Sequence, residues 1–416
     1  MNKSWIAVTD ESDFPIQNIP FGIVKNERGW YAASRIGNYA INLAILQDKG
    51  YFSDLALPDG LFEKQFLNDF IALGKPITNQ VRLRIQSLFD EGSTDGLREN
   101  TIHRNKILKE VQQVSMSLPV QIGDYTDFYS SEQHAFNVGC MFRDPDNALM
   151  PNWKHLPVGY HGRSSSIVVS GTDFHRPKGQ QKPNTDEPPI FDPCKLLDFE
   201  LEMGFVIGKG SELGESISTK NAADHIFGLC LFNDWSARDL QKWEYVPLGP
   251  FLAKNFASHL SPWIVTLEAL EPFRTSGPEQ DPKVLPYLTY EGEHHYDIDL
   301  EVYIETEKGK SKKVSESNFK YMYWNMVQQL AHHTVNGCNV KAGDMMASGT
   351  ISGPEPHQYG SMLEIAWQGS KPVQMPDGTE RKFIQDGDTV VMKGFGSKEG
   401  VRIGFGEVRA KVLPAK

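Results

Sequence analysis

The feature that most constrains this chain is a stretch in which acidic and apolar residues alternate, Asp198-Phe199-Glu200-Leu201-Glu202. The alternation continues through Met203 and Phe205, and a period of two is typical of a half-buried β-strand. Glu200 and Glu202 then lie on one face, with the apolar side chains turned toward the core. Neighbouring carboxylates repel each other unless a cation or a proton lies between them, so the strand is a candidate site for a hard metal ion. A solvent-exposed strand face that is simply acidic explains the pattern equally well.

The chain has 416 residues, more than one ordinary hydrophobic core accommodates, which favours two domains. Residues 1–118 lack clustered acids and show helical spacing of apolar residues at 38–47, 62–73 and, more weakly, 77–89, so we expect a support domain there. Residues 119–416 alternate short strand-like runs with turns rich in glycine and proline. The expected fold class is therefore α+β, mostly β.

The charge and the cysteines narrow the possible partners and compartments. A formal net charge of -11 argues against nucleic acid and against anionic membranes, because phosphate groups are bound by clustered Lys and Arg. A small anionic substrate needs only a local cationic pocket and stays possible. The four cysteines are scattered without zinc-binding spacing, as in a reduced protein, and no signal segment or membrane-spanning run is recognisable. We expect a soluble cytoplasmic protein.

A second set of polar residues follows the apolar run 226–232. A helix that begins near Asp234 carries four polar residues on one face, at spacings of four, three and four: Asp234, Arg238, Gln241 and Tyr245. An acid, a guanidinium, an amide and a phenol suit the wall of a pocket better than a core. The alternative is a solvent-exposed helix face with an intrahelical ion pair between Asp234 and Arg238.

Motifs of several large enzyme classes are missing from the sequence. Gly208-Lys209-Gly210 lacks the third glycine of a dinucleotide-binding turn, and neither a P-loop nor the G-x-S-x-G turn of serine hydrolases occurs. Four other strings resemble the fumarylacetoacetate hydrolase family: Gly159-Tyr160-His161-Gly162-Arg163, the acidic string 198–202, Asn233-Asp234-Trp235-Ser236-Ala237-Arg238-Asp239 and Gly249-Pro250-Phe251-Leu252-Ala253-Lys254. The resemblance extends over essentially the whole chain.

The resemblance carries expectations about fold and activity. It implies a small N-terminal SH3-like β-barrel domain with helices, residues 1–118, and a large C-terminal mixed β-roll, residues 119–416, that binds a metal and performs catalysis. It implies hydrolysis of the carbon–carbon bond of 4-fumarylacetoacetate to fumarate and acetoacetate, the last step of tyrosine and phenylalanine catabolism. It also implies a homodimer.

The resemblance further implies a metal held by four carboxylates: Asp127, Glu200, Glu202 and Asp234. Such an all-oxygen set favours Ca²⁺, Mg²⁺ or Mn²⁺ over Zn²⁺, and the family implies Ca²⁺, Mg²⁺ or both. Four negative charges exceed the charge of one dication by about two, so we expect further cations nearby. Lys254 is the first candidate among the side chains. A second Mg²⁺ is implied beside Asp234, Lys254 and Ser258. Ser258 stands where threonine is usual and keeps the hydroxyl.

The resemblance makes His134 the general base and Glu364 its partner. A histidine titrates near neutral pH, and a base histidine needs an acceptor on its other nitrogen. Glu364 lies in the strand-like segment 362–366. Three residues are implied as donors to an oxyanion: Arg238, Gln241 and Lys254. Substrate contacts are implied for a further set, in which Arg143 suits a terminal carboxylate: Tyr129, Arg143, Tyr160, Gln241, Tyr245 and Thr350.

Two other functions stay open at this point. The first is that of a relative with the same metal-stabilised enolate chemistry: a decarboxylase, a hydratase or a hydrolase of another diketo acid such as an acylpyruvate. Such relatives are typically shorter and lack the N-terminal domain. A Ca²⁺-stabilised binding protein without turnover keeps the four carboxylates but has no need of His134, Lys254 and Glu364 together.

Overall fold

The computed structural model describes residues 3–27 and 29–416. Over these residues the chain is a mixture of short helices and many strands, as the sequence predicts. The α-helices are Leu43–Asp48, Asn68–Ile71, Lys75–Phe89, Thr101–Ile107, Glu132–Phe142, Thr219–His225, Arg238–Glu244, Leu267–Leu270, Met326–Thr334 and Met362–Ile365. Short 3₁₀ turns are Leu61–Glu63, Val111–Gln113, Pro145–Asn147, Ser164–Ser166, Glu271–Phe273, Pro286–Leu288, Phe319–Tyr321 and Pro356–Gln358. Within the described residues, each helix is too short or too polar to cross a bilayer.

An antiparallel sheet organises the N-terminal part. Its strands, in spatial order, are Leu108–Glu110, Tyr39–Asn42, Gly29–Ile36, Phe21–Asn26 and Ser115–Ser117. The helix expected at 38–47 is partly wrong, because a strand occupies 39–42 and the Asn42 side chain accepts a hydrogen bond from the Ile45 N–H and starts the helix only at residue 43. The helix expected at 62–73 is reduced to Asn68–Ile71. The weaker pattern at 77–89 is confirmed, as Lys75–Phe89.

A larger sheet runs through the middle of the molecule. In spatial order its strands are Gly159–His161, Tyr125–Phe128, Met345–Ala347, Leu201–Ile207, Ile226–Asp234, Ser258–Leu260 and Ile167–Val169, with Val265–Thr266 also paired to Ile226–Asp234. The acidic string forms two strands. Leu201–Ile207 belongs to this sheet and is buried along its whole length, whereas Leu197–Asp198 pairs separately with Ser236–Ala237. The expectation of a half-buried strand is wrong, because both faces of the sheet are covered.

A third sheet consists of Ser311–Asn318, Asp299–Glu305, Thr389–Lys398, Val401–Leu413 and Phe174–His175, in that spatial order. Two-stranded pairs complete the β structure: Lys178–Gln181 with Ile190–Pro193, Leu197–Asp198 with Ser236–Ala237, Arg274–Thr275 with His295–Tyr296, and Val373–Gln374 with Glu380–Arg381.

Two apolar clusters cover the two faces of the middle sheet. On one face, Val206 and Phe232 pack with Phe70 of the N-terminal part. On the other face, residues of the opposite parity, such as Leu231, pack with Leu300 of the third sheet. This alternation follows from the period of two in a strand, and it places the N-terminal part and the third sheet on opposite sides.

Candidate functional site

Three of the predicted acids project from the face of the middle sheet that also packs against the N-terminal part. Each shares its strand and its parity with a residue of that apolar cluster: Asp127 with Tyr125, Glu202 with Val206, and Asp234 with Phe232. Residues at i and i+2 of a strand point to the same side, so acids distant in the sequence converge. Glu200 joins them from the break between the two pieces of the acidic string, where it bridges to Ser361.

The four predicted carboxylates form one buried cluster, Asp127, Glu200, Glu202 and Asp234, whose nearest oxygens lie within 4.8 Å of one another. Glu202 is 0% exposed, so the interpretation as a solvated acidic face is wrong. Asp127 Oδ1 and Glu202 Oε1 are buried without a hydrogen-bond partner among the described residues. A buried acceptor without a donor is costly, so these oxygens fit a divalent cation that is bound between them.

The electrostatics of the cluster agree with a cation site. Burial and the neighbouring Asp234 raise the pKa of Asp127 well above its usual value. Burial and Asp127 do the same to the pKa of Glu202. Carboxylates in such surroundings ionise readily only when positive charge is close, which is what a bound dication provides.

Two cationic side chains flank the cluster on the side of Glu200. Lys254 Nζ donates to Glu200 Oε2 and, at 2.8 Å, to Asp234 Oδ2, and Arg238 Nη1 lies 2.9 Å from Glu200 Oε1. Burial opposes the ionisation of Glu200, but the cations around it, Lys254 first, lower its pKa. Burial also opposes the charge of Lys254, but Asp234 and Glu200 outweigh it and raise the pKa. The ammonium and the guanidinium therefore remain charged and offset part of the excess negative charge.

The helix predicted to start near Asp234 begins four residues later. Asp234 ends the strand Ile226–Asp234, where it pairs with Ser258 of the adjacent strand, and Arg238 is the first residue of the helix Arg238–Glu244. The single helical stripe, and with it the alternative of an intrahelical Asp234–Arg238 pair, is wrong because sheet pairing extends the strand to Asp234. Arg238 does meet Gln241, since its Nη1 donates to Gln241 Oε1 at 3.1 Å.

The predicted base and its partner lie in direct contact. His134 is 3% exposed, and its Nδ1 is 2.7 Å from Glu364 Oε2. His134 belongs to the helix Glu132–Phe142, which begins where the Ser131 hydroxyl accepts from the His134 N–H at 3.3 Å. The strand expected at 362–366 is wrong: the segment forms the helix Met362–Ile365, capped by the Ser361 side chain.

Three further donors hold the Glu364 carboxylate. Asn137 Nδ2 donates to Oε1 at 2.9 Å, and the hydroxyls of Ser352 and Ser361 donate to Oε2 at 2.9 and 2.8 Å. Burial opposes the ionisation of Glu364, but His134 and these donors prevail, so the pKa of Glu364 lies below its usual value. Glu364 is therefore an anion in a fixed orientation beside His134.

Several predicted substrate and metal residues lie at the cluster. Tyr160 Oη donates to Asp234 Oδ2 at 3.2 Å, and Ser258 Oγ donates to Asp234 Oδ1 at 2.7 Å. Thr350 is buried next to Gly349, whose N–H donates to Glu202 Oε2 at 3.1 Å. The structure thus brings these residues together around Asp234 and Glu202.

Three other predicted residues lie further out. The Tyr129 ring meets the His134 ring edge-on, with 5.2 Å between the ring centroids. Arg143 is exposed, and its Nε and Nη2 donate to the carbonyl of Ala148 at 3.2 and 2.5 Å. Tyr245 follows the helix Arg238–Glu244 and is 51% exposed. Arg143 and Tyr245 therefore lie at the protein surface.

The sequence analysis missed the residues that orient Glu364 and Arg238. Asn137 follows His134 by three positions on one helix, a spacing that was a usable signal. Ser352 and Ser361 carry no pattern that points to Glu364. Asp198 stood in the acidic string without a role, and the structure places it against Arg238, with Arg238 Nε 2.8 Å from Asp198 Oδ2.

The fold and the site together define a mixed α+β protein with a buried carboxylate cluster fit for a metal and an adjacent histidine–glutamate pair. A model of the Fumarylacetoacetase N-terminal family matches residues 17–119, and a model of the Fumarylacetoacetate (FAA) hydrolase C-terminal family matches residues 125–413. The chain belongs to the fumarylacetoacetate hydrolase family.

Individual relatives match over almost the full length. The chain is 54% identical to a fumarylacetoacetase of Dictyostelium discoideum, over 99% of this chain and 98% of the relative. It is 50% identical to a fumarylacetoacetase of Homo sapiens, over 99% of both chains. The solved structure of a fumarylacetoacetate hydrolase from Exiguobacterium antarcticum covers 96% of this chain and 100% of its own, with a TM-score of 0.52 at 17% identity, which is a likeness of fold.

Proposed function

We propose that this chain hydrolyses the carbon–carbon bond of 4-fumarylacetoacetate to give fumarate and acetoacetate. The observation that carries the proposal is a buried carboxylate cluster fit for a dication next to a histidine–glutamate pair, in which His134 lies close enough to help lower the pKa of Glu200. Relatives that share about half of their residues with the chain over its whole length are named fumarylacetoacetase, which supports this substrate. The chain would thus act as a hydrolase on a ketonic carbon–carbon bond.

His134 is the proposed general base. Ionised Glu364 can only accept hydrogen bonds, so the proton between the two residues belongs on His134 Nδ1. The neutral ring then has a free lone pair on Nε2, which takes a proton from water as the water oxygen attacks the carbonyl carbon of the fumaryl group. His134 returns this proton to the carbon atom that leaves with acetoacetate. The O–H and C–C bonds that break are thereby balanced by the C–O and C–H bonds that form.

Arg238, Gln241 and Lys254 are the proposed donors to the oxyanion of the tetrahedral intermediate. Gln241 accepts from Arg238 through Oε1, which leaves its amide N–H groups free to donate. Lys254 uses two of its three N–H bonds on Glu200 and Asp234 and keeps one. Donors fixed in a buried site need no reorganisation during the reaction, and each is worth about 3–4 kcal/mol in comparable enzymes.

Ca²⁺ or Mg²⁺ is the proposed cofactor, held by the four carboxylates Asp127, Glu200, Glu202 and Asp234. When bound, such a cation acts as a Lewis acid toward the negative charge that develops on the diketone oxygens. A second Mg²⁺ beside Asp234, Ser258 and Lys254 remains a prediction. An ammonium has no lone pair, so the part of Lys254 there is to balance the charge of Asp234.

We propose that six polar residues, among them the oxyanion donor Gln241, bind the substrate: Tyr129, Arg143, Tyr160, Gln241, Tyr245 and Thr350. The hydroxyl of Tyr160 already bonds to Asp234, which supports a place at the reacting end. Arg143 lies at the surface with its guanidinium on the Ala148 carbonyl, which suits a terminal carboxylate that arrives from solvent.

The two-domain division, residues 1–118 and 119–416, is also a proposal, as is the SH3-like barrel of the first part. Strands Leu108–Glu110 and Ser115–Ser117 lie at opposite edges of the N-terminal sheet, yet only four residues, 111–114, connect them. Five extended residue steps span about 17 Å, whereas opposite edges of a flat five-stranded sheet lie about 19 Å apart. A connection this short, part of it a 3₁₀ turn, supports a curled, barrel-like sheet.

A homodimer and a cytoplasmic location complete the proposal. The family supports the homodimer, and light scattering on the purified protein tests it. All four cysteines lie in the described residues and are free, which supports a reducing compartment.

The decisive experiment is an absorbance assay of fumarylacetoacetate consumption by the purified protein, with and without a chelator and with Ca²⁺ or Mg²⁺ restored. We expect stoichiometric fumarate and acetoacetate, loss of turnover with chelator, and recovery with metal. An acylpyruvate serves as the comparison substrate. Consumption of the acylpyruvate alone would refute the proposed substrate, and full activity in chelator would refute the role of the carboxylate cluster.

A further inference from the structure

Asp198 is a buried carboxylate that the proposed mechanism leaves without a task. It is 0% exposed, and it lies outside the four-carboxylate cluster although only Phe199 separates it from Glu200. A buried charge is retained only where its partners compensate the cost of removing it from water. The identity of those partners therefore shows what Asp198 holds in place.

The first partner is the guanidinium of Arg238. Its Nε donates to Asp198 Oδ2 at 2.8 Å, and its Nη2 lies 2.8 Å from the same oxygen. The other end of this guanidinium faces the site, where Nη1 lies 2.9 Å from Glu200 Oε1 and 3.1 Å from Gln241 Oε1. Asp198 thus binds one edge of the Arg238 guanidinium, while Nη1 on the other edge faces the site.

The second partner is the segment that carries Glu364. The Met362 N–H donates to Asp198 Oδ1 at 2.6 Å, and the Leu363 N–H donates to Asp198 Oδ2 at 3.1 Å. Glu364 is the next residue, and its carboxylate bonds to His134. The Asp198 carboxylate therefore connects Arg238, a proposed oxyanion donor, with the segment that carries Glu364, the partner of the proposed base.

We propose that Asp198 is a positioning residue that fixes Arg238 and the Glu364–His134 pair in one frame. The inference rests on the proposed function, because it assigns roles to the same site. Asp198 touches neither substrate nor metal in this scheme, and it acts through the residues that it holds. Displacement of a catalytic group by about 1 Å is enough to cost 100-fold in rate.

Asp198→Asn tests the proposal, because asparagine keeps one acceptor oxygen and nearly the same shape while it removes the charge. We expect kcat to fall by about 100-fold, with a smaller change in KM and with unchanged metal content. Asp388→Asn is the matched control. Asp388 is also 0% exposed, and it accepts from Arg381 at 2.7 and 2.8 Å and from the Gln385 N–H at 2.9 Å, away from the site. We expect it to lose thermal stability to a similar degree and to keep kcat.

A second readout is independent of turnover. In protein labelled with ¹⁵N-histidine, the Nδ1–H proton of His134 should give a downfield resonance, which His134→Ala identifies by its loss. We expect Asp198→Asn to shift or broaden this resonance and Asp388→Asn to leave it in place. If wild-type protein does not consume fumarylacetoacetate, the proposed substrate fails and the resonance alone decides the role of Asp198.

The inference is overturned if Asp198→Asn keeps kcat within about threefold of wild type or leaves the His134 resonance unchanged, because Asp198 then contributes only to stability. Should Asp198→Asn fail to fold, Asp198→Glu takes its place. Glutamate keeps the charge that pairs with Arg238, but its extra methylene displaces both Arg238 and the segment 362–364. The same criteria for kcat and for the His134 resonance apply.

Discussion

Removal of a single charge from the carboxylate cluster should stabilise the metal-free protein and reduce the further stability that metal provides. Glu202 is fully buried, its Oε2 accepts from the Gly349 N–H at 3.1 Å, and its Oε1 is without a partner among the described residues. In Glu202→Gln the amide oxygen can keep the bond to Gly349, while the NH₂ group replaces the unpartnered oxygen and faces the other carboxylates as a donor. Without metal, the variant should therefore be more stable than wild type.

The expected magnitudes follow from these contacts. An unsatisfied buried acceptor costs about 1–3 kcal/mol, so without metal Glu202→Gln should gain roughly that amount. With a dication at 100 times its Kd, wild type should gain about 2.7 kcal/mol of stability by mass action. The variant has lost a charged ligand and should gain much less. For a unit of about 300–400 residues, 1 kcal/mol shifts the Tm by about 1–2 °C, so the wild-type Tm should rise by roughly 3–5 °C with metal.

Calorimetric melting of both proteins in chelator, Ca²⁺ and Mg²⁺, combined with elemental analysis of bound metal, checks this prediction. Asp388→Asn is the control, because it should lower the Tm equally with and without metal. If Glu202→Gln binds metal with wild-type stoichiometry and shows the wild-type rise in Tm, the assignment of the cluster as a metal site is wrong.

Three other predictions concern single side chains. His134→Ala should reduce kcat by about 10²–10⁴-fold at unchanged metal content, and elemental analysis beside the absorbance assay detects any departure from this pattern. Ser258→Ala removes the donor to Asp234 and should lower the Tm, whereas Ser258→Thr keeps the hydroxyl and should melt like wild type; equal melting of all three proteins contradicts the contact. Burial lowers the pKa of His295 from 6.5 to about 4. As the pH drops below about 6.5, the unfolded chain therefore binds a proton at His295 that the folded chain does not bind. The free energy of unfolding should fall by about 3 kcal/mol as the pH drops from about 6.5 toward 4. In urea titrations at several pH values His295→Gln, which can keep the donor to the Met322 carbonyl, should show a weaker dependence, and an unchanged slope disproves the assignment.

Local patterns predicted much of the candidate site. The acidic alternation at 198–202 is confirmed as β structure only in part, because the strand is interrupted at residues 199–200, and its Glu200 and Glu202 belong to the carboxylate cluster. The segment 62–73 shows where such patterns fail, because apolar spacing there reflects packing of turns into a core and not a continuous helix. Near Asp234 the helical spacing did not predict the structure, because the chain pairs there with the strand of Ser258. Pairing within the sheet satisfies the backbone N–H and C=O groups that a helix would otherwise satisfy.

The sequence alone determined the chemistry available to this protein: oxygen ligands, a histidine and cations in motifs that a family shares. Which of these groups meet was decided by the tertiary structure, because contacts such as that of His134 with Glu364, 230 residues apart, depend on how sheets and short helices pack. The burial that shifts the pKa of Asp127, and the contacts of Asp198 with Arg238 and with the Met362 N–H, likewise exist only in the folded chain. Exclusion of water strengthens every charge interaction in the site, and no linear pattern of residues encodes that exclusion.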